Sequence, residues 1–488
     1  MSRYKKLTLL HSNDMHGDFL AENVNEALVG GVSMLSGYVD KVRREEKNTL
    51  YCIAGDMFRG SVIDSEFKGI STIDIMNTIA PDVVTLGNHE TDYGIAHLLF
   101  LEKCAKFPII NANLYIKSNN ARLFRPHIIL NIDGMKILFI GIITEGVIKS
   151  AKNDTAVGSF VDIHEAAQEI GRICNAYNAA DIDFTVLLTH IGFEEDKALA
   201  AQLDPAWGVD IIIGGHSHTF IEEPAVVNDI VIVQAGIGTD IIGRFDITVD
   251  TLENRIESYS WKTVPVNSTN CPKDEALEKI IASYKEKTDA KYNRVITRLN
   301  RKLTHPERTR ETELGGLFAD ILAESLTLDI MLVGSGSVRT DSMGPLVTYG
   351  NLVETFPYDS PVYMLKISGA QLRHMLLYML RDEVWQGVHS SFLQLSGRLK
   401  VVYNIPESCM ESFTFDGNPI ADEQMFTVGV QQYHYNNFKR IFNIDIADIE
   451  KNGKARLVST SIVDILEEHL STHQHLDHET DGRLTLIR

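Results

Sequence analysis

The 488-residue chain is short of cysteine, of cations and of long apolar runs, and each shortage argues against a class of protein. Its five cysteines, Cys52, Cys104, Cys174, Cys271 and Cys409, are odd in number and nowhere spaced C-x-x-C. That pattern fits reduced thiols and argues against a disulfide framework or a thiolate-rich zinc site. Lys and Arg total 46 against 66 Asp and Glu, a formal charge of −20, which speaks against a nucleic-acid backbone or an anionic membrane as the main partner. A small anionic substrate stays compatible, because bound cations reverse the local field. No apolar stretch approaches the ~18 residues of a membrane span. The basic start Met1–Lys6 is followed only by the short run Leu7 to Leu10, against the ~7–15 apolar residues of a secretion signal, so the expected compartment is the cytoplasm.

What is present is average globular composition, 44% hydrophobic and 23% charged, in a chain long enough for two or three domains. Up to about residue 265, apolar runs alternate with helical spacing. Candidate strands are Leu7–His11, Leu50–Ile53, Val83–Leu86, Ile109–Asn111, Lys136–Ile143, Phe184–Thr189, Asp210–Ile213 and Ile230–Gln234. Helical spacing marks Ser33–Glu46, Thr72–Ile79 and His164–Ala176. The alternation predicts an α/β layered domain over 1–266. A polar stretch at 267–273 leads into the Ala-, Glu- and Lys-rich segment Asp274–Ile296, read as a linker and connecting helix over 267–297. A second domain follows over 298–488.

Five of the candidate strands end in residues that ligate metals: Asp14 and His16 after the first, Asp56 after the second, Asn88 after the third, then His190, and His216 with His218. In open α/β sheets, ligands collect at the carboxyl ends of parallel strands. If the strands are parallel neighbours, these seven side chains converge. The i, i+2 spacing of Asp14/His16 and His216/His218 suits an extended segment that points both side chains one way. Gly55, Gly87, Gly214 and Gly215 permit sharp turns and close approach beside the ligands. One His-x-His alone is commonly a surface turn, but five ligand-bearing strand ends are hard to obtain from folding alone. Seven nitrogen and oxygen donors suit two ions sharing a carboxylate, and favour Mn, Zn, Fe or Co over a soft-metal site. Two ions ~3.5–4 Å apart lower the pKa of a shared water.

The blocks Asn13-Asp14-Met15-His16-Gly17, Gly55-Asp56, Gly87-Asn88-His89-Glu90-Thr91-Asp92-Tyr93-Gly94, Thr189-His190-Ile191-Gly192 and Gly214-Gly215-His216-Ser217-His218-Thr219 resemble those of the 5′-nucleotidase and UDP-sugar hydrolase family of calcineurin-like metallophosphoesterases. The resemblance runs in order over nearly the whole chain. It implies a four-layered αββα metallophosphoesterase domain followed by a C-terminal α/β 5′-nucleotidase-type domain. It also implies that Asp56 bridges two divalent ions, one held further by Asp14, His16 and His218, the other by Asn88, His190 and His216. His89 and Asp92 match the family's catalytic pair: a cationic imidazole near the phosphoryl oxygens, held by a carboxylate.

For the second domain the resemblance implies nucleoside or sugar binding and rotation that delivers substrate. Arg308 matches the entry to that domain's first helix, and Arg339 its Gly-rich turn Gly334–Arg339. Both are candidates to clamp an anion, and Tyr358 and Tyr433 are candidates to sandwich a base. Gly334 stands where the family has Asn, and His434-Tyr435-Asn436-Asn437-Phe438 replaces its Gly-Gly-Asp stretch. The expected function is phosphomonoester hydrolysis, with nucleoside 5′-monophosphates as substrate. Its rivals are a 2′,3′-cyclic-nucleotide phosphodiesterase, a nucleotide-sugar pyrophosphatase, and a non-catalytic ligand-binding protein with a structural metal. A small phosphate ester is the expected partner, with no nucleic acid and no membrane.

Overall fold

A computed structural model describes residues 3–487 other than 25–26, 117–118, 120, 145–158, 161–162, 178–179, 358 and 382–391. The chain forms two compact units, Met1–Thr288 and Asp289–Arg488.

In the first unit the strands of the two large sheets are β1 (Tyr4–Ser12), β2 (Thr49–Ala54), β3 (Val83–Thr85), β4 (Ile109–Ile110), β5 (His127–Ile132), β6 (Met135–Ile143), β7 (Phe184–His190), β8 (Val209–Ile213), β9 (Ala225–Val227), β10 (Ile230–Val233), β11 (Ile241–Asp250) and β12 (Arg255–Pro265). All eight predicted strands form, the first starting earlier, at Tyr4. They do not form one sheet. One six-stranded sheet has the order β12-β11-β1-β2-β3-β4 and the other the order β9-β10-β8-β7-β6-β5. Within each, four strands run parallel: β1 to β4 in the first, β6, β7, β8 and β10 in the second.

Both faces of these strands are apolar, so the two sheets stack and helices cover the outside. Leu7, Leu9, Leu50 and Cys52 of the first sheet share one buried cluster with Phe139, Val186, Leu188 and Ile213 of the second. The alternate residues Leu10, Tyr51 and Ile53 face outward onto helices α1 (Val32–Glu45), α2 (Ile70–Ile79) and α3 (Ile95–Cys104). Across the molecule, Ile140, Leu187 and Ile212 pack outward against α4 (Ile163–Ala176) and α5 (Phe193–Ala200). The result is the αββα layering. A fully buried Leu, Ile or Val side chain contributes about 1.5–3 kcal/mol, so this double sandwich rigidly fixes the strand ends. The polar stretch after β12 packs onto this unit: Asn267 bridges to Val29, and Cys271 lies in the outer core with Leu277 and Ile281 of the helix Glu275–Tyr292.

The second unit holds a five-stranded sheet in the order Leu393–Leu395, Ile330–Gly334, Met425–Gln431, Val362–Ser368, Arg456–Ser459. A four-stranded sheet runs Asn418–Pro419, Cys409–Phe415, Leu399–Asn404, Leu484–Ile487. Helices Glu313–Ser325, Gly369–Met379 and Ile462–Thr472 pack against them.

Candidate metal centre

The parallel strands of both sheets present their carboxyl ends at one edge, and every predicted ligand follows such an end. Asp14 and His16 follow β1, Asp56 follows β2 and Asn88 follows β3 in one sheet; His190 closes β7, and His216 and His218 follow β8 in the other. The donors meet. His190 Nε2 is 3.1 Å from Asp56 Oδ2 and 3.8 Å from Asp14 Oδ1, and His218 Nε2 is 3.4 Å from Asp14 Oδ1. His16 Nε2 lies 3.9 Å from both carboxylates, and His216 Nδ1 is 2.7 Å from Asn88 Oδ1. Ligand atoms of Asp14, His16 and His218 form one compact group, and those of Asp14, Asp56 and His190 another.

The reading of Asp14/His16 and His216/His218 as extended pairs is corrected by the backbone. The strands end first, and the donors stand in left-handed turns: φ is 50° at Asp14, 50° at His16, 53° at Asp56, 82° at His216 and 54° at His218. Side chains rarely adopt this region, and it persists only where surrounding structure enforces it. An i, i+2 count carries no such information, because a turn and a strand can both bring two side chains to one side. The glycine expectation has a steric reason. A Cβ on Gly87 would lie 2.2 Å from Asp56 Oδ1, and one on Gly215 would lie 2.6 Å from the Ala54 carbonyl and 2.7 Å from His190 Nδ1.

The donor set fits cations. Asp14 and Asp56 are almost fully buried carboxylates. His190 Nδ1 donates to the Ala54 carbonyl at 2.9 Å and His16 Nδ1 to that of Arg59 at 3.1 Å, which turns both Nε2 atoms toward the centre. His190 Nε2 is buried without a well-aligned hydrogen-bond partner, and the Nε2 atoms of His16 and His218 face each other at 3.1 Å. Burial pushes His16 and His216 down, toward the neutral ring that offers a lone pair. Burial opposes charge on His190 and Asp56 alike, yet their proximity draws His190 up and Asp56 down.

His89 stands beside this centre, with a ring nitrogen grouped with those of His16 and the Asp56 carboxylate. Its Nδ1 donates to Asp92 Oδ2 at 2.7 Å, which raises the imidazole pKa and fixes the tautomer. Its backbone N–H donates to Asp56 Oδ1 at 2.9 Å. Burial opposes charge on Asp92, but His89 and Arg59 hold it below the usual carboxylate range.

Three acidic residues that sequence reasoning left without a role brace the loops. Glu90, buried, accepts from the N–H groups of Asp56, Met57 and Gly87 at 2.6–3.0 Å, and burial followed by the Asp56 charge pushes it up to about 7. Asp196, also pushed up to about 7 by burial, accepts from Thr189 Oγ1 at 2.6 Å and Gln234 Nε2 at 3.2 Å. Asp64 accepts from the Arg59 N–H at 2.9 Å and the Tyr93 hydroxyl at 2.8 Å. Asp64 and Asp196 lie in short helices and Glu90 in a single helical turn, and nothing in the sequence marks such carboxylates until their burial is known.

In the second unit, Arg308 and Arg339 both reach the Ser335–Ser337 turn. Arg308 Nη1 lies 3.8 Å from where a side chain on Gly336 would begin, and Arg339 Nη1 donates to the Gly336 carbonyl at 3.5 Å. Tyr433 follows the strand Met425–Gln431, is 53% exposed, and accepts at its hydroxyl from Arg440 at 2.7 Å. Gln431 ties this segment to the turn by accepting from the Gly334 N–H at 2.7 Å. The two departures from the family pattern fit each other: a Cβ on Gly334 would lie 2.7 Å from His434 Cε1, so the buried His434 ring takes that space. Tyr358 lies outside the described residues.

Two family models match in tandem: calcineurin-like phosphoesterase over residues 7–220 and 5′-nucleotidase C-terminal domain over 291–443. The chain belongs to the 5′-nucleotidase family of calcineurin-like metallophosphoesterases. As in that family, the centre takes two divalent ions, and the protein is a hydrolase of phosphoric esters. The chain is similar to a 5′-nucleotidase of Mus musculus, 27% identical over 447 residues covering 82% of this chain and 75% of the relative. It is likewise similar to a 5′-nucleotidase of Vibrio parahaemolyticus, 28% identical over 450 residues, 81% of this chain and 78% of the relative. Among solved structures, its fold matches a 5′-nucleotidase precursor from Thermus thermophilus with a TM-score of 0.62 at 23% identity, covering 99% of this chain and 100% of that one. It also matches an NAD nucleotidase of Haemophilus influenzae, with a TM-score of 0.59 at 19% identity and 99% of each chain covered.

Proposed function

We propose that the protein hydrolyses nucleoside 5′-monophosphates to nucleoside and phosphate, with two divalent ions held by Asp14, His16, Asp56, Asn88, His190, His216 and His218. The observation that carries this reading is the meeting of seven nitrogen and oxygen donors from two sheets beside His89, in a chain that also matches the 5′-nucleotidase C-terminal domain. Asp56 lies near donors of both groups and would be shared by the two ions; Asp14, His16 and His218 would hold one further, and Asn88, His190 and His216 the other. When bound, the ions supply Lewis acidity at the phosphoryl oxygens and activate water. Mn, Zn, Co or Fe suits a donor set without thiolate.

The chain's own residues do the rest. His89, kept cationic by Asp92, stabilises charge building on the phosphoryl oxygens in the transition state. Glu90 and the buried turns keep Asp56 and Asn88 from moving with the substrate. Arg308, Arg339, Tyr433 and Tyr358 are assigned to substrate binding, the arginines to its anionic part and the tyrosines to its base. A panel of AMP, 2′,3′-cyclic AMP, UDP-glucose and an aryl phosphate, run with Mn, Co, Zn and Mg in turn, tests the reading. The expected outcome is fastest turnover of AMP. Faster turnover of the cyclic nucleotide or of UDP-glucose would replace it by a diesterase or pyrophosphatase, and no turnover of any would leave a binding protein.

A further inference from the structure

Arg59 is a cation whose guanidinium has no part in the proposed reaction so far, and its surroundings are unusually constrained. Its backbone is in the left-handed region, φ 68°, which a long side chain rarely occupies. Its N–H donates to the buried Asp64 carboxylate at 2.9 Å, and its carbonyl accepts from His16 Nδ1 at 3.1 Å. The side chain is held as firmly. Arg59 Nε donates to Asp92 Oδ2 at 3.0 Å, the same oxygen that accepts from His89 Nδ1 at 2.7 Å. The guanidinium carbon lies 5.5 Å from the centre of the Tyr93 ring, and Tyr93 is itself pinned to Asp64 at 2.8 Å.

So a permanent cation is fixed on both its backbone and its Nε, one shared oxygen away from His89. Nevertheless, 48% of the side chain is exposed, and its two Nη groups make no hydrogen bond among the described residues. A guanidinium pinned at Nε keeps a planar fork of N–H donors free, a geometry matched to two oxygens of a tetrahedral oxyanion. Backbone strain held by surrounding contacts is characteristic of ligand clamps.

We propose that Arg59 binds the phosphoryl oxygens of the substrate and of the product phosphate, as a third element of the site beside the ion pair and His89. This rests on the phosphomonoesterase reading. The rival role is structural: Arg59 merely orients Asp92 and, through it, His89.

Binding of inorganic phosphate separates the two without turnover. Calorimetric titration of inorganic phosphate into the Mg-loaded protein is compared for wild type, Arg59→Ala, Arg59→Lys, Arg59→Gln and Asp92→Asn, with metal content measured on each. A charged hydrogen bond is worth about 1.5–3 kcal/mol, so Arg59→Ala and Arg59→Gln should weaken phosphate by about 10- to 100-fold. Arg59→Lys should recover part of this, and all variants should keep two ions per chain. Asp92→Asn should weaken phosphate less than Arg59→Ala does. Should Arg59→Ala not fold, Arg59→Gln keeps the side-chain length and gives the same readout. Wild-type phosphate affinity in both Arg59→Ala and Arg59→Gln, or no phosphate binding by the wild type, overturns the proposal. Weakened phosphate binding with no hydrolysis of any phosphomonoester would instead remove the functional reading and leave Arg59 as an anion site.

Discussion

Asp14, His16, Asp56, His216 and His218 all stand at left-handed φ, and strain of this kind costs of order 1–3 kcal/mol per residue. The surrounding sandwich supplies that stability, and the donors gain an approach angle that no strand would give. His89 is different in kind, since its backbone is helical and its importance lies in the Asp92 bond. His89→Asn should retain two ions per chain yet lose about 10²–10⁴ in kcat, as measured by phosphate release alongside metal analysis. Asp196 offers a test at a residue that is not itself a ligand. Its pKa of about 7 in the folded chain exceeds the ordinary carboxylate value, so folding takes up a proton between about pH 4 and 7. Stability from this group is therefore full below pH 4, falls as pH rises, and levels off above 7, with a slope of at most about 1.4 kcal/mol per pH unit. Urea unfolding of metal-free Asp196→Asn should show a flatter dependence across that window than wild type. An unchanged slope would mean that Asp196 is ionised when folded.

The connections between strand and helix do the site's positioning. The loop at Gly87 passes so close to Asp56 that any side chain must displace the Asp56 carboxylate. Gly87→Ala should lower kcat about 10²-fold, the scale of a displacement near 1 Å. Gly208→Ala is the control: φ is 65° there with nothing within 4 Å, so it should lose stability and keep activity. Thermal melts beside rate measurements distinguish the two. Strands β1, β2, β3, β4, β6, β7, β8 and β10 were legible because they are apolar on both faces. β12, largely exposed, and β5, half-buried, lie at sheet edges, where burial selects no strand-long apolar run. The division into two sheets was hidden, since strands buried on both faces carry no mark of which partner they choose. The seven donors were legible because they close or closely follow five apolar runs. Arg59 and Glu90 were not, because their roles depend on loops some 30 residues apart meeting in space. Arg308, Arg339 and Tyr433 came from family likeness alone, for no periodicity distinguishes them from surface residues.

At the scale of the whole first unit, the centre joins two sheets whose inner faces pack through apolar side chains. Bound ions stabilise the folded state by about 2.7 kcal/mol at a hundredfold excess over Kd. Melting with and without EDTA should therefore differ by several degrees, and Asp56→Asn should abolish most of that difference; equal melting of treated and untreated wild type would show that no ion is bound. The register Tyr4↔Asp250 has one more consequence, which concerns time during synthesis. β1 gains its neighbour β2 early, but its other edge waits for β11, some 240 residues later in the chain. At about 5–20 residues per second a ribosome leaves that edge open for roughly 10–50 s. During this wait the second sheet, with His190, His216 and His218, is made. The nascent chain thus holds every metal donor before its first strand is closed, and its most exposed moment for mispairing is the interval that ends with residue 250.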